Sequence, residues 1–346
     1  MRIGNKTIGI NRKPFIIAEL SGNHKGSLKR AIKIIKQVKK TGASAVKLQT
    51  FDLDEMTIDL NHKNFKINDK KSPWFKKSLY ELYTIAQTPK EWHEPIFNFC
   101  KKIGLICFSS VFDFKSLAFL ETLDAPAYKI ASFENNHFPL IEMVAKKKKP
   151  TIISTGMSTL SEIAEVVKIF KKNKNNNLAL LKCTSSYPAN PKESNLRAIR
   201  TLREKFKCEV GLSDHTKGIG AAVASVSIGA SIIEKHVVLK KNDGSVDKDF
   251  SLDPTEFKNL VNEANSAWLA LGNKNLKPTL NEKKMLKLKR SIFVTMDLQK
   301  GSVLNKKNIK IIRPGFGLHP KHYNNLIGKK INRKVKKGTP FKRGMV

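Results

Sequence analysis

The sequence predicts an α/β protein: a (β/α)8 TIM barrel followed by a small, separate β-rich domain. Three observations carry this. Eight short β-branched runs alternate with longer segments whose apolar residues recur every three or four positions, the signature of βα units around a parallel sheet. No GxGxxG turn follows the first run, which favours a closed barrel over an open doubly wound sheet. Every run also ends in polar or ionisable residues, at the rim where such barrels keep their chemistry.

In chain order, the predicted strands are 15–20, 45–50, 105–110, 127–132, 151–155, 178–185, 209–214 and 231–237. Between them lie amphipathic stretches such as LKRAIKIIKQVKKTG at 28–42 and LSEIAEVVKIFKKN at 160–173. Residues 51–91 are too long for an ordinary βα loop and are expected to form an excursion over the barrel mouth. A last helix is expected at 254–271. The composition then changes, giving a barrel domain at 1–275, a basic connector at 276–290 and a β-rich domain at 291–346, which would gain stability by docking.

The 346 residues carry 65 basic and 29 acidic side chains, a net charge of +36. The lysines are spread over nearly every predicted helix and turn, without interleaved aromatics, so no nucleic-acid partner is expected. Cys100, Cys107, Cys183 and Cys208 form no CxxC pair and are expected to be thiols in a reducing compartment. The N-terminus lacks an apolar signal core, and the most apolar run, 219–233, is short and broken by Gly and Ser. A cytoplasmic protein without a membrane partner is expected.

The strand ends supply the candidate site. Its centre is GLSDHTKGIGAAVASVSIGASIIEKHVVL, in which His215 and His236 end neighbouring strands and could share a divalent metal whose other positions stay open. A lone strand-end His is as readily a hydrogen-bonded structural residue. Lys47 and Lys129, with Ser110, Ser132, Ser154 and Ser213, make a cationic, hydroxyl-rich patch suited to a phosphate and a carboxylate. Glu19 and Glu134 could act on protons, while Asp214 and Asp247 could orient ligands or bind sugar hydroxyls. Gln49, Ser185 and Tyr187 complete the rim.

The ordered motifs IAELSGNHKGSL, AVKLQTF, YKIASFE, ISTGMSTLSEI, LLKCTSSYPA, GLSDHTKG and IIEKH resemble the sialic acid synthase family, which condenses phosphoenolpyruvate with an N-acetylated sugar. LKRSIFVTMDLQKGSVLNKKNIKIIRPGFGLHPK is similar to that family's C-terminal antifreeze-like (SAF) β-clip domain. LYELYTIAQTPKEWHEPIF, GLICFSSVFD and RPGFGLHPK look most like its pseudaminic acid synthase branch, whose sugar is 2,4-diacetamido-2,4,6-trideoxy-L-altrose and whose product serves cell-surface glycans or flagellin. The resemblance implies Mn2+, with Mg2+ or Co2+ as alternatives, held by His215 and His236 to polarise the open-chain aldehyde. It implies phosphoenolpyruvate on Lys47, Ser110, Lys129, Ser132, Ser154 and Ser213, sugar contacts from Glu19 and Asp247, Tyr187 in the pocket wall, and Glu134 handling the attacking water. It further implies a domain-swapped homodimer in which Arg313 reaches the partner's sugar. Ser185 stands where sialic acid synthases carry Asn, a departure at a substrate contact. The alternatives are an N-acetylneuraminate or legionaminate synthase, an aldolase on the same barrel, and a basic carbohydrate- or nucleic-acid-binding protein.

Overall fold

The computed structural model describes residues 1–70, 72 and 74–346. The chain opens with a feature that the alternating pattern does not reveal, an antiparallel hairpin of β1 (Arg2–Ile3) and β2 (Lys6–Thr7). Eight parallel strands follow: β3 (Phe15–Glu19), β4 (Ala45–Thr50), β5 (Ile106–Val111), β6 (Tyr128–Ile130), β7 (Thr151–Ser154), β8 (Leu178–Cys183), β9 (Glu209–Asp214) and β10 (Ile232–His236). They close into one barrel, with β10 pairing β3.

All eight predicted strands exist, and two end two residues sooner than expected. The run expected at 127–132 pairs only over Tyr128–Ile130, and Ser132–Glu134 turn into a 3-10 helix. The run expected at 178–185 stops at Cys183, which leaves Ser185 and Tyr187 in a loop. Polar residues beyond the last ladder bond have no neighbouring strand to pair with, so the chain turns.

The helices form for the reasons the pattern suggests. Leu28–Thr41 buries Ala31, Ile34, Ile35 and Val38 on one stripe, is capped by Ser27, whose side chain accepts from the Arg30 N–H, and stops at Gly42. Leu160–Lys172 starts with a Thr159/Glu162 capping box and buries Ile163, Val166, Val167 and Phe170. Each buried Val, Ile or Phe among them contributes about 1.5–3 kcal/mol relative to exposure. Pro254–Leu271 matches the expected last helix, capped by Asp253 and Glu256.

Strand alternation then positions the site. Inside the barrel the lower layer is apolar: Phe15, Ile17, Ala45, Phe108, Ala127, Ile152, Ala179, Leu181 and Ile232 pack together, and Ile3 and Ile8 of the hairpin region close the bottom. Two residues further along each strand, the same inward face carries polar side chains. The excursion after β4 contains helices Leu53–Met56 and Leu79–Ala86 and lies over this mouth, as expected.

The chain divides into two compact units, Met1–Gly272 and Asn273–Val346. In the second, β11 (Ser291–Val294) pairs antiparallel with β12 (Ile309–Ile312), and Ile292, Val294, Leu304, Ile309, Ile331 and Phe341 form its core. The segment expected as a connector contains a short helix, Leu280–Met285. Among the described residues, no helix is long and apolar enough to cross a membrane.

Candidate active site

The barrel mouth encloses a cavity of about 420 Å³, within the usual range for small-molecule sites. Its polar floor takes one inward residue from each strand: Glu19, Lys47, Ser110, Lys129, Ser154, Cys183, Ser213 and Glu234, all buried. Lys47 is ion-paired with Glu19, donates to Ser110 Oγ at 2.7 Å and lies 3.8 Å from Glu234 Oε2. Lys129 donates to Ser154 Oγ at 2.7 Å and lies 3.8 Å from Glu234 Oε1, which also accepts from Ser213 Oγ at 3.1 Å. Glu234 is therefore clasped by two ammonium groups.

Burial opposes every charge here, and neighbours decide the outcome. For Glu234, burial alone would raise the carboxyl, but Lys129 and Lys47 hold it at about 2. Burial would likewise lower Lys47, yet Glu19 and Glu234 lift it above its usual value. Lys129 is pulled down by burial, which Glu234 only partly offsets. Glu19 is pushed up by burial in spite of Lys47. Glu134, at the rim, is pushed up to about 7 by burial, with Lys129 opposing the rise.

Opposite this floor stand the two imidazoles, 5.3 Å apart between ring centres. His215 Nδ1 lies 3.1 Å from the Thr184 carbonyl oxygen, which can only accept, so that nitrogen carries the proton. His236 Nδ1 lies 3.1 Å from Asp247 Oδ2 and donates to it in the same way. A neutral ring so anchored presents Nε2 as its lone-pair nitrogen. This is the outer arrangement of metal-binding imidazoles, each with its far nitrogen anchored to an oxygen. Among the described residues, no three His, Cys, Asp or Glu side chains form a ready cage. A divalent ion thus fits this pair only with water and substrate supplying its other ligands.

An aromatic wall borders the pair. Phe250 packs edge-on against His236 and His215 at 4.9 and 5.8 Å, and Tyr187 lies 4.5 Å from His215, 5.3 Å from Phe250 and 5.8 Å from Trp74. The excursion contributes Met56, Ile67, Trp74, Leu82 and Tyr83 together with Asp69 and Ser72, so that side of the cavity is mostly apolar with two polar groups.

Of the residues singled out in the sequence, Glu19, Lys47, Gln49, Ser110, Lys129, Ser132, Glu134, Ser154, Tyr187, Ser213, His215, His236 and Asp247 all line the cavity. Ser185 lies close by, its Oγ 3.8 Å from Cys183 Sγ. Arg313 belongs to the second unit, just past β12. Asp214 is a correction: it points away from the cavity and is ion-paired with Lys235 at 2.8 Å, because its neighbours Ser213 and His215 take the inward face. The sequence reading gave no role to Glu234, Cys183 or Phe250. Parity with His236 on the same strand signals Glu234, Cys183 is placed by its register opposite Ser213 on the next strand, and Phe250 lies in an irregular segment without any periodic signal. Burial opposes ionisation of Cys183, but His215 beside it draws the thiol down to about 7.

The comparisons agree with this geometry. The NeuB family profile matches residues 34–276, and the SAF domain profile matches residues 289–346. The chain is 46% identical to the pseudaminic acid synthase of Campylobacter jejuni subsp. jejuni serotype O:2, over 99% of both chains. It is 41% identical to that of Helicobacter pylori, over 95% of this chain and 96% of the relative. The crystal structure of N-acetylneuraminic acid synthetase from Leptospira borgpetersenii, in complex with citrate, superposes with a TM-score of 0.74 at 32% identity, covering 83% of this chain and 94% of that one. A polar floor on a closed barrel, full-length likeness and a second domain of matching type lead to one conclusion: the chain belongs to the NeuB family and ends in a SAF domain.

Proposed function

We propose that the protein is a pseudaminic acid synthase, which joins phosphoenolpyruvate, water and 2,4-diacetamido-2,4,6-trideoxy-L-altrose into pseudaminic acid and phosphate. The observation that carries the reading is the pairing, in one cavity, of a two-lysine, multi-serine floor with two imidazoles, each anchored through Nδ1 to an oxygen. The floor suits a phosphate and a carboxylate; the imidazoles suit an electrophilic carbonyl. The apolar excursion supports a sugar bearing acetamido methyls and a deoxy carbon in place of a hydroxyl.

In this reading, Lys47, Lys129 and the serines at 110, 132, 154 and 213 hold phosphoenolpyruvate with its third carbon toward the aldehyde. His215 and His236 hold a divalent ion, Mn2+ in our reading, whose chemistry is to polarise the aldehyde oxygen. The third carbon bonds to the aldehyde carbon as the C=O π pair moves onto the oxygen, which ends protonated as a hydroxyl, and the electron-poor second carbon takes up water. Glu134 accepts that water's proton. The tetrahedral species then breaks its C–O bond, and phosphate leaves. Glu19, Gln49, Tyr187 and Asp247 orient the sugar, and Ser185 supports the phosphate side. Alignment and fixed charge supply most of the acceleration. The protein works in the cytoplasm as a domain-swapped dimer, in which Arg313 of one chain closes the partner's mouth.

The test supplies phosphoenolpyruvate with three sugars in parallel: the altro diacetamido sugar, the legionaminic precursor and N-acetylmannosamine. Preferential phosphate release with the first is expected. Preference for either of the others would reassign the branch, and no release with any would overturn the synthase reading. With oxygen-18 in the bridging position, the label should leave in phosphate.

A further inference from the structure

We propose that the buried Asp214–Lys235 ion pair is a positioning device for the two imidazoles, setting the spacing of His215 and His236 and through it the affinity for a divalent cation. This rests on the reading of those two residues as ligands. Among the described residues, the β9–β10 ladder ends at the pair Lys235↔Asp214. His215 and His236 lie one residue beyond it, where no backbone ladder between these strands fixes their separation.

Side chains take over at that point. Lys235 is wholly buried and reaches Asp214 Oδ2 at 2.8 Å and also the Thr216 carbonyl. Asp214 Oδ1 accepts from the Thr216 N–H at 2.9 Å. The residues on both sides of His215 are thus tied to the residue that precedes His236. The contacts lie on the barrel's outer face, directly behind the imidazoles.

Packing alone does not call for ions in this layer. The neighbouring outward positions Val210, Leu212, Ile233 and Val237 are apolar and buried. A buried ion pair gives up most of its hydration, and an apolar pair of similar volume is often as stable or more so. What the ions add is direction: each fixes the other and the Thr216 peptide in one geometry.

The experiment measures Mn2+ binding to metal-free protein from the electron paramagnetic resonance signal of the free ion. Lys235→Met leaves Asp214 buried without its partner, so the double variant Asp214→Asn/Lys235→Met, which leaves no charge behind, carries the test if the single variant does not fold. Either folded variant should bind Mn2+ about 10–100-fold more weakly than wild type, the usual effect of losing an outer support. Excess Mn2+ should restore kcat, with the KM for phosphoenolpyruvate unchanged. Binding within twofold of wild type in a folded variant, or a kcat loss that excess Mn2+ does not restore, would overturn the proposal. A wild-type protein that binds no Mn2+ would instead remove the ligand reading beneath it.

Discussion

Replacing Glu134 by Gln should make the enzyme slower and the fold more stable at once. The carboxyl lines the cavity, and its Oε2 is a buried acceptor without a hydrogen-bond partner. Burial lifts it from 4.5 to about 7. At about 1.4 kcal/mol per unit, this is a penalty of ~3 kcal/mol on the charged form in the folded state. Because the folded value is the raised one, the favourable contribution is fully present below 4.5 and is lost as pH climbs through about 7. Gln has no such loss. Glu134→Gln should therefore unfold at higher urea than wild type at pH 8, by ~1–3 kcal/mol, with the advantage gone near pH 4.5. Activity moves the other way. A carboxylate that takes the proton of the attacking water gives a kcat that rises with pH through about 7, and its loss should cost about 10²–10⁴-fold and flatten that limb. Phosphate release from pH 5.5 to 9, with urea unfolding on the same samples, reads both. A Gln variant that keeps wild-type kcat and the same limb would refute the reasoning, as would one that is less stable at pH 8.

Other outcomes follow from single contacts. His215→Ala or His236→Ala should abolish Mn2+ uptake and turnover while the circular dichroism of the barrel persists; turnover surviving exhaustive chelation would contradict this. Gly156→Ala would place a Cβ 2.2 Å from Ser185 Oγ and 2.7 Å from Ser132 Oγ, so the KM for phosphoenolpyruvate should rise at least several-fold, and an unchanged KM would show that these hydroxyls do not hold it. Gly211→Ala drives a Cβ to 2.1 Å from the Ile232 carbonyl, inside the β9–β10 ladder, and should lower stability by several kcal/mol in thermal or urea unfolding. Arg313→Ala should raise the KM for the sugar more than that for phosphoenolpyruvate; equal effects would remove Arg313 from the sugar side.

The barrel was legible because its causes are local and periodic. β-branched runs between capped amphipathic helices specify strand and helix wherever the chain is read, and inward parity carries Lys47, Lys129, His215 and His236 to one rim. The N-terminal hairpin escaped notice because strands of two residues have no period to detect. Asp214 was misjudged because adjacent residues at a strand end point to opposite faces, and only the paired register shows which face Ser213 and His215 have taken.

Sequence alone thus determined which side chains could meet, since alternation and the closed order of strands leave few places for them. Only the tertiary structure decided what they do to one another. Glu234 became the anion between two lysines, Phe250 came to rest against both imidazoles, and a rim carboxyl lost enough water to titrate at about 7. The reason is physical: electrostatic strength and hydration depend on distances across the barrel and on depth below its rim, and neither is written in any single stretch of chain.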